Sequence, residues 1–281
     1  MTNTQPVAVV TGASSGFGLL TSISLAGCGF RVIAAMRDTS KQAALLERAR
    51  EAELSKQISV IQMDVHDHSG VEQAIRQVAK EYGRMDLLVN NAGFAAGGFV
   101  EDVPMRVWRE QLETNVFGLI AVTKAVLPYM RERGSGTIIN VSSISGQVAL
   151  PGYAPYSTSK FAVEGFSEAL RLEMKPFGVR VVLVEPGAYK TNIWEKGFRN
   201  VSVSELSPYR KMLDLVMGVS QKVAAASADP QEVAEKIAQI ARTSNPSLRY
   251  PLGRGIRLHL WGKSLLPWSW YEFIIQRMMK P

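Results

Sequence analysis

Cysteine is nearly absent: Cys28 is the only one in 281 residues. No disulfide can form within the chain, and no thiolate-ligated zinc site can be built. Histidine is scarce too. His66, His68 and His259 leave little for any other transition metal, so no metal site is expected. No apolar run reaches the roughly 18 residues that a bilayer-spanning helix needs. Met1 to Pro6 is short and polar, unlike a secretory signal, and an apolar run begins at once with Val7-Ala8-Val9-Val10. A reducing, cytoplasmic setting is therefore expected. Global disorder is excluded because 46% of the residues are hydrophobic and only 20% are charged. The length suits one large α/β domain covering residues 1–281.

The net charge of +7 is concentrated near the end. From Arg249 to Pro281 stand six basic residues (Arg249, Arg254, Arg257, Lys263, Arg277, Lys280) against one acid, Glu272. The same stretch holds Trp261, Leu265, Leu266, Trp268, Trp270, Tyr271, Phe273, Ile274 and Ile275. Packing on the body or on a second subunit is the first expectation for this extension, 249–281. Peripheral contact with a membrane surface is the second. Nucleic acid is not expected as a partner.

Short β-rich runs alternate with longer helical patterns. Strands are predicted at Val7–Thr11, Arg31–Met36, Ser59–Gln62, Leu87–Val89, Thr137–Val141 and Val179–Val184. Their unbroken Val, Ile and Leu content marks strands buried on both faces. Helices are predicted at Gly18–Ala26, Gln42–Leu54, Val71–Glu81, Trp108–Met130 and Ser157–Met174. This alternation predicts a doubly wound parallel sheet, a Rossmann-type α/β fold with helices on both faces. Residues 188–228 break the rhythm, and a long insertion of this kind reads as a substrate lid. Asp229-Pro230-Gln231-Glu232 then has the form of a helix start, with the helix running to about Arg242.

Thr11-Gly12-Ala13-Ser14-Ser15-Gly16-Phe17-Gly18 follows the first strand and opens the first helix. Glycines there permit a tight turn and close backbone approach to a pyrophosphate, and the helix N-terminus offers free N–H groups. At the end of the second strand an acid would hold the ribose of NAD, and an arginine would accept the extra phosphate of NADP. Arg37 occupies that place and favours NADP, with Asp38 as a competing signal.

Tyr156 and Lys160 are four residues apart, which puts both on one face of a helix. A phenol is a poor base at neutral pH, and a nearby ammonium stabilises the phenolate. The pair can then exchange a proton with an alcohol or carbonyl oxygen. Ser143 stands just past a buried strand, at the edge where such sheets bind ligands. Ser142 adjoins it, and the bland reading is that both simply decorate a turn.

Six motifs occur in order: Thr11 to Gly18, Asp64, Asn90-Asn91-Ala92-Gly93, Asn115, Ser143 with Tyr156 and Lys160, and Pro186-Gly187 with Thr191. On these, covering residues 7 to 191, the chain resembles the single-domain short-chain dehydrogenases/reductases. The resemblance implies a dinucleotide held by Gly12, Ser14, Ser15, Gly16, Phe17 and Gly18. It implies Asp64 and Val65 at the adenine, Asn91 with Ala92 and Gly93 near the ribose, and Pro186, Gly187, Ala188 and Thr191 at the carboxamide. Tyr156 would be the proton donor or acceptor and Ser143 would bind the reacting oxygen. Lys160 would lower the Tyr pKa and hold the nicotinamide ribose, and Asn115 would anchor a water leading to Lys160. It also implies a homodimer or homotetramer.

The residues expected around the substrate are apolar: Phe94, Val148, Tyr153, Tyr189 and, from the lid, Trp194. No arginine pair stands ready for a carboxylate, which points to a bulky apolar ketone or secondary alcohol. The run from Ser159 to Phe166 and the tail segment Leu248 to Gly253 resemble the hydroxysteroid and retinol dehydrogenase branch. A regulator that binds NADP without turning over is the alternative, and the retained Ser143, Tyr156 and Lys160 speak against it.

Overall fold

The computed structural model describes residues 5–191, 193, 201–202 and 207–278, with the side chains of residues 202, 259 and 278 left out. Seven strands form one sheet: β1 (Val7–Thr11), β2 (Arg31–Met36), β3 (Ile58–Gln62), β4 (Leu87–Asn90), β6 (Gly136–Val141), β7 (Val179–Pro186) and β9 (Arg249–Leu252). Their order is β3-β2-β1-β4-β6-β7-β9, and every neighbouring pair is parallel.

The central strands feed two cores by simple alternation of side chains. Ala8, Val10, Val32, Ala34 and Val89 face one core, with Leu19 and Leu25 of α1 (Gly16–Gly27) and Val233 and Ile237 of α8 (Gln231–Ala241). Val7, Val9, Ile33, Ala35 and Leu88 face the other. That side is covered by α3 (His68–Tyr82), α5 (Leu119–Arg133) and α6 (Ala154–Met174). Both faces are therefore dry, as the unbroken apolar runs predict. The sheet is the doubly wound, Rossmann-like one expected.

The chain leaves β1 toward β2 and β3, then returns to β4 on the other side of β1. Ligands of such sheets bind in the crevice at this reversal, outside the carboxyl ends of the strands. The expected site residues follow those ends: Gly12 after β1, Arg37 after β2, Asp64 after β3, Asn91 after β4, Ser143 after β6 and Gly187 after β7. Topology alone brings them to one rim.

Several features depart from the expectations. The helix expected at Trp108–Met130 is three pieces: α4 (Met105–Leu112), a π-helical turn (Glu113–Gly118) and α5. The described part of 188–228 is ordered structure: α7 (Arg210–Ala225) and the two-residue strand β8 (Val201–Ser202), which pairs with β5 (Gly97–Gly98). The seventh strand, β9, was not expected at all.

After β9 come α9 (Ile256–Leu265) and α10 (Trp268–Met278). Tyr271 is buried, and Ile256 packs against Gly187. Leu258, Trp261 and Leu265, spaced to share one face of α9, are instead exposed, as are Trp270, Phe273 and Ile274 on α10. Among the described residues, no helix is long and apolar enough to cross a membrane.

Candidate active site

The glycine turn fits because side chains are missing where backbone must pass. Gly12 and Gly16 have φ of +66° and +56°, conformations that L side chains rarely adopt. A Cβ on Gly18 would lie 2.4 Å from the Gly12 carbonyl oxygen, so only glycine lets α1 start that close to the turn. Asn91 fixes the same turn from β4: its Nδ2 donates to the carbonyls of Thr11 (2.9 Å) and Gly12 (3.2 Å). Thr11 Oγ1 accepts from the backbone N–H of Asn91 and of Ala92. The Asn91 amide therefore shapes the turn, a role additional to the expected ribose contact.

Thr191 hangs over this turn, its Cβ 3.7 Å from where a Cβ of Gly16 would be. Ser15 caps α1 in an extended conformation without a side-chain hydrogen bond to the helix, so the first-turn N–H groups face the crevice unclaimed by a cap. Val65 is buried against Gly118, and Asp64 Oδ1 accepts from the His66 N–H. Arg37 is exposed. The Asp38 carboxylate accepts from the Ser40 N–H and hydroxyl and pairs with Lys41 at 3.2 Å.

On the other half of the rim, the Ser143 hydroxyl donates to the Pro186 carbonyl at 3.5 Å and is near enough to Tyr156 to lower its phenol pKa. Ser143 Oγ also accepts from the Ser145 N–H at 3.1 Å. Lys160 is buried, donates from Nζ to the Val141 carbonyl at 2.9 Å, and sits 5.7 Å from the centre of the Tyr156 ring. Burial drives both groups. It pushes the Tyr156 phenol above its ordinary value while the Ser143 hydroxyl pulls it back. It also brings the Lys160 ammonium down to about 8, against the opposing pull of Glu164. Burial is thus the largest influence on both groups, with Ser143 opposing it at the phenol and Glu164 at the amine.

Asn115 sits in the π turn, and its side chain is fully engaged. Oδ1 accepts from the Phe94 N–H at 3.1 Å, and Nδ2 donates to the Phe94 carbonyl and to Ser159 Oγ, each at 3.0 Å. Ser159 in turn donates to the Tyr156 carbonyl at 2.7 Å. These bonds tie the loop after β4 to the turn of α6 that carries Tyr156. Gln111 completes the clamp by bonding Phe94 and Ala96.

The expected substrate residues divide. Val148 lies on the loop after Ser143, and the hydroxyls of Tyr153 and Ser220 are 2.6 Å apart, joining the start of α6 to α7. Phe94 packs with Ala96, Val103 and Val107. Tyr189 is 1% exposed, belongs to the core and meets Phe17 edge-on at 5.8 Å. Trp194 lies outside the described residues. Sequence reasoning passed over Ser159, Gln111 and Glu164. The only local signal was the spacing of Glu164, one helical turn beyond Lys160.

The short chain dehydrogenase family model matches residues 6–201. The uncharacterized oxidoreductase YusZ of Bacillus subtilis (strain 168) is 48% identical over 278 residues, covering 98% of this chain and 99% of that protein. The 3-ketodihydrosphingosine reductase of Bacteroides thetaiotaomicron is 35% identical over 278 residues, 97% of each chain. A structure of an actinorhodin polyketide ketoreductase variant with NADPH has a TM-score of 0.78 at 32% identity, covering 91% of this chain and 98% of that one. With the glycine turn and the Ser143–Tyr156–Lys160 group on one rim of a parallel sheet, these likenesses show that the chain belongs to the short-chain dehydrogenase family, as an oxidoreductase served by a nicotinamide cofactor.

Proposed function

We propose that the protein interconverts a secondary alcohol and a ketone or aldehyde with NADP(H), on a bulky apolar substrate, with Tyr156 as acid and base. The observation that carries this is the buried Lys160 amine held by the Val141 carbonyl 5.7 Å from the Tyr156 ring, at the strand end where Ser143 follows. The glycine turn and the start of α1, which no side chain caps, suit the dinucleotide, and Thr191 beside Gly16 suits its carboxamide end. When bound, the nicotinamide supplies or accepts the hydride.

The chain's own task is the proton. In reduction, Ser143 and Tyr156 donate hydrogen bonds to the substrate oxygen as negative charge grows on it. Tyr156 then gives up its proton, and the Lys160 ammonium stabilises the phenolate left behind. A phenol raised by burial and an amine near 8 suit this direction at neutral pH, because both protons are in place at the start.

Val148, Tyr153 and Phe94 support an apolar substrate, as does the relative that reduces 3-ketodihydrosphingosine. The test is NADPH absorbance against apolar ketones of graded size. Turnover that rises with apolar bulk is expected, and consumption only with small charged keto acids would remove the substrate class.

The exposed apolar faces of α9 and α10 support peripheral contact with an anionic membrane surface, since Arg254, Arg257 and Arg277 are exposed beside them. In flotation, the protein should rise with vesicles containing anionic lipid and less so with zwitterionic ones. Replacing Trp261 and Trp270 with Ser should abolish flotation. Flotation that survives this change would clear the tail of the role.

A further inference from the structure

Two of the three histidines stand against the π turn that carries Asn115. His66 is on the loop between β3 and α3, and His68 opens α3. His66 Nε2 lies 2.6 Å from Thr114 Oγ1. Thr114 donates its own hydroxyl hydrogen to the Glu110 carbonyl of α4 at 3.0 Å. The Thr114 oxygen therefore accepts, and the imidazole Nε2–H donates. His68 Nε2 lies 3.5 Å from Glu113 Oε1. Glu113 and Thr114 are the first two residues of the π turn, and Asn115 is the third.

The same loop meets the other end of the turn. A Cβ on Gly118 would lie 2.7 Å from Val65 Cγ2 and 3.1 Å from the Val65 carbonyl oxygen. The missing side chain is what lets loop and turn pack this closely. The loop is braced by bonds of its own. Asp64 Oδ1 accepts from the His66 N–H at 3.1 Å, and the Asp64 carbonyl accepts from the Asp67 N–H at 3.1 Å. Asp67 then caps α3, its Oδ1 accepting from the Gly70 N–H at 3.0 Å.

Single π turns inside α-helices are rare and occur frequently at functional sites. This one is held by two sets of contacts. The loop after β3 holds it at Thr114 and Gly118, and Asn115 holds it to Phe94 and Ser159. Ser159 in turn donates to the Tyr156 carbonyl. Hydrogen bonds of 2.6, 3.0 and 2.7 Å thus lead from His66 to the backbone of Tyr156, with one covalent step from Thr114 to Asn115.

We propose that His66 is a positioning residue of the active site. By holding Thr114 it sets the π turn, and through Asn115 and Ser159 it sets the turn of α6 that presents Tyr156. The inference rests on Tyr156 moving the proton as described under Proposed function.

The experiment compares His66→Ala, His66→Gln, Thr114→Val and Tyr156→Phe in the full chain. It reads kcat and KM for the apolar ketone that reacts best, at saturating NADPH, with NADPH affinity and thermal unfolding measured alongside. His66→Ala should lower kcat about tenfold, since a misplacement of about 1 Å can cost about 100-fold and the turn keeps its other contacts. NADPH affinity should not change, because the bonds of Asp64 and Asp67 still brace the loop. His66→Gln places an amide N–H where the imidazole N–H was, and should recover most of the loss.

Thr114→Val keeps the branched shape and removes the acceptor, so it should match His66→Ala. The double variant should be no worse than either single one, the mark of a shared contact. Wild-type kcat in His66→Ala, losses that add in the double variant, a Gln variant no better than Ala, or a loss of NADPH affinity that parallels the loss of kcat overturns the proposal. Should Tyr156→Phe turn over like wild type, the reading of Tyr156 fails. Wild-type kcat in His66→Ala with Tyr156→Phe inactive removes the role of His66 alone.

Discussion

Tyr156→Phe is expected to lower kcat by about 10²–10⁴-fold, the usual worth of a positioned general acid, with NADPH affinity unchanged. Phenylalanine fills the same volume, so α6 and its contacts through Ser159 and Asn115 persist. What is lost is the O–H next to Ser143. Lys160 keeps its place, because its Nζ is held by the Val141 carbonyl rather than by the phenol. Circular dichroism and cofactor titration separate this outcome from misfolding. Turnover within about tenfold of wild type would show that another group moves the proton.

Arg37→Ala is expected to weaken NADPH binding by about 10–100-fold and to leave NADH binding nearly as it was. A hydrogen bond to a charged partner contributes about 1.5–3 kcal/mol, which converts to that range. Arg37 is exposed just past β2, free to meet a phosphate. The neighbouring acid is held by Ser40 and Lys41 in the short turn that follows, so it competes poorly for a ribose. Because the interaction is with an exposed charge, the NADPH advantage of the wild type should shrink as salt rises. Equal losses for both cofactors, measured by tryptophan fluorescence or KM, would remove the assignment.

The parts of this site that were legible in the sequence are those fixed by local rules. A strand buried on both faces reads as Val-Ala-Val-Val, and β1 to β4, β6 and β7 fall where such runs occur. The glycine turn is legible because positive φ and close approach leave no other residue type. Tyr156 and Lys160 are legible because a helix repeats nearly every four residues.

What escaped the sequence depends on contacts distant along the chain. Strand β9 is four residues of Arg-Tyr-Pro-Leu paired on one side only, and Pro251 gives it no strand-like pattern. The π turn at Asn115 accompanies its bonds to Phe94, 21 residues away. Tyr189 packs edge-on against Phe17 of α1, a contact that no local pattern announces. Glu164 looks like the polar face of an ordinary helix until Arg249 arrives from 85 residues further on.

One isotope experiment tests the central claim most directly. NADPH carrying deuterium at the nicotinamide C4 position is incubated with the apolar ketone that reacts best, and the alcohol is examined by mass spectrometry and NMR. One deuterium on the carbinol carbon is expected in the product of the wild-type protein, with a proton from solvent on its oxygen. A protein that binds the cofactor tightly yet yields no labelled alcohol from any ketone in the series would contradict the account.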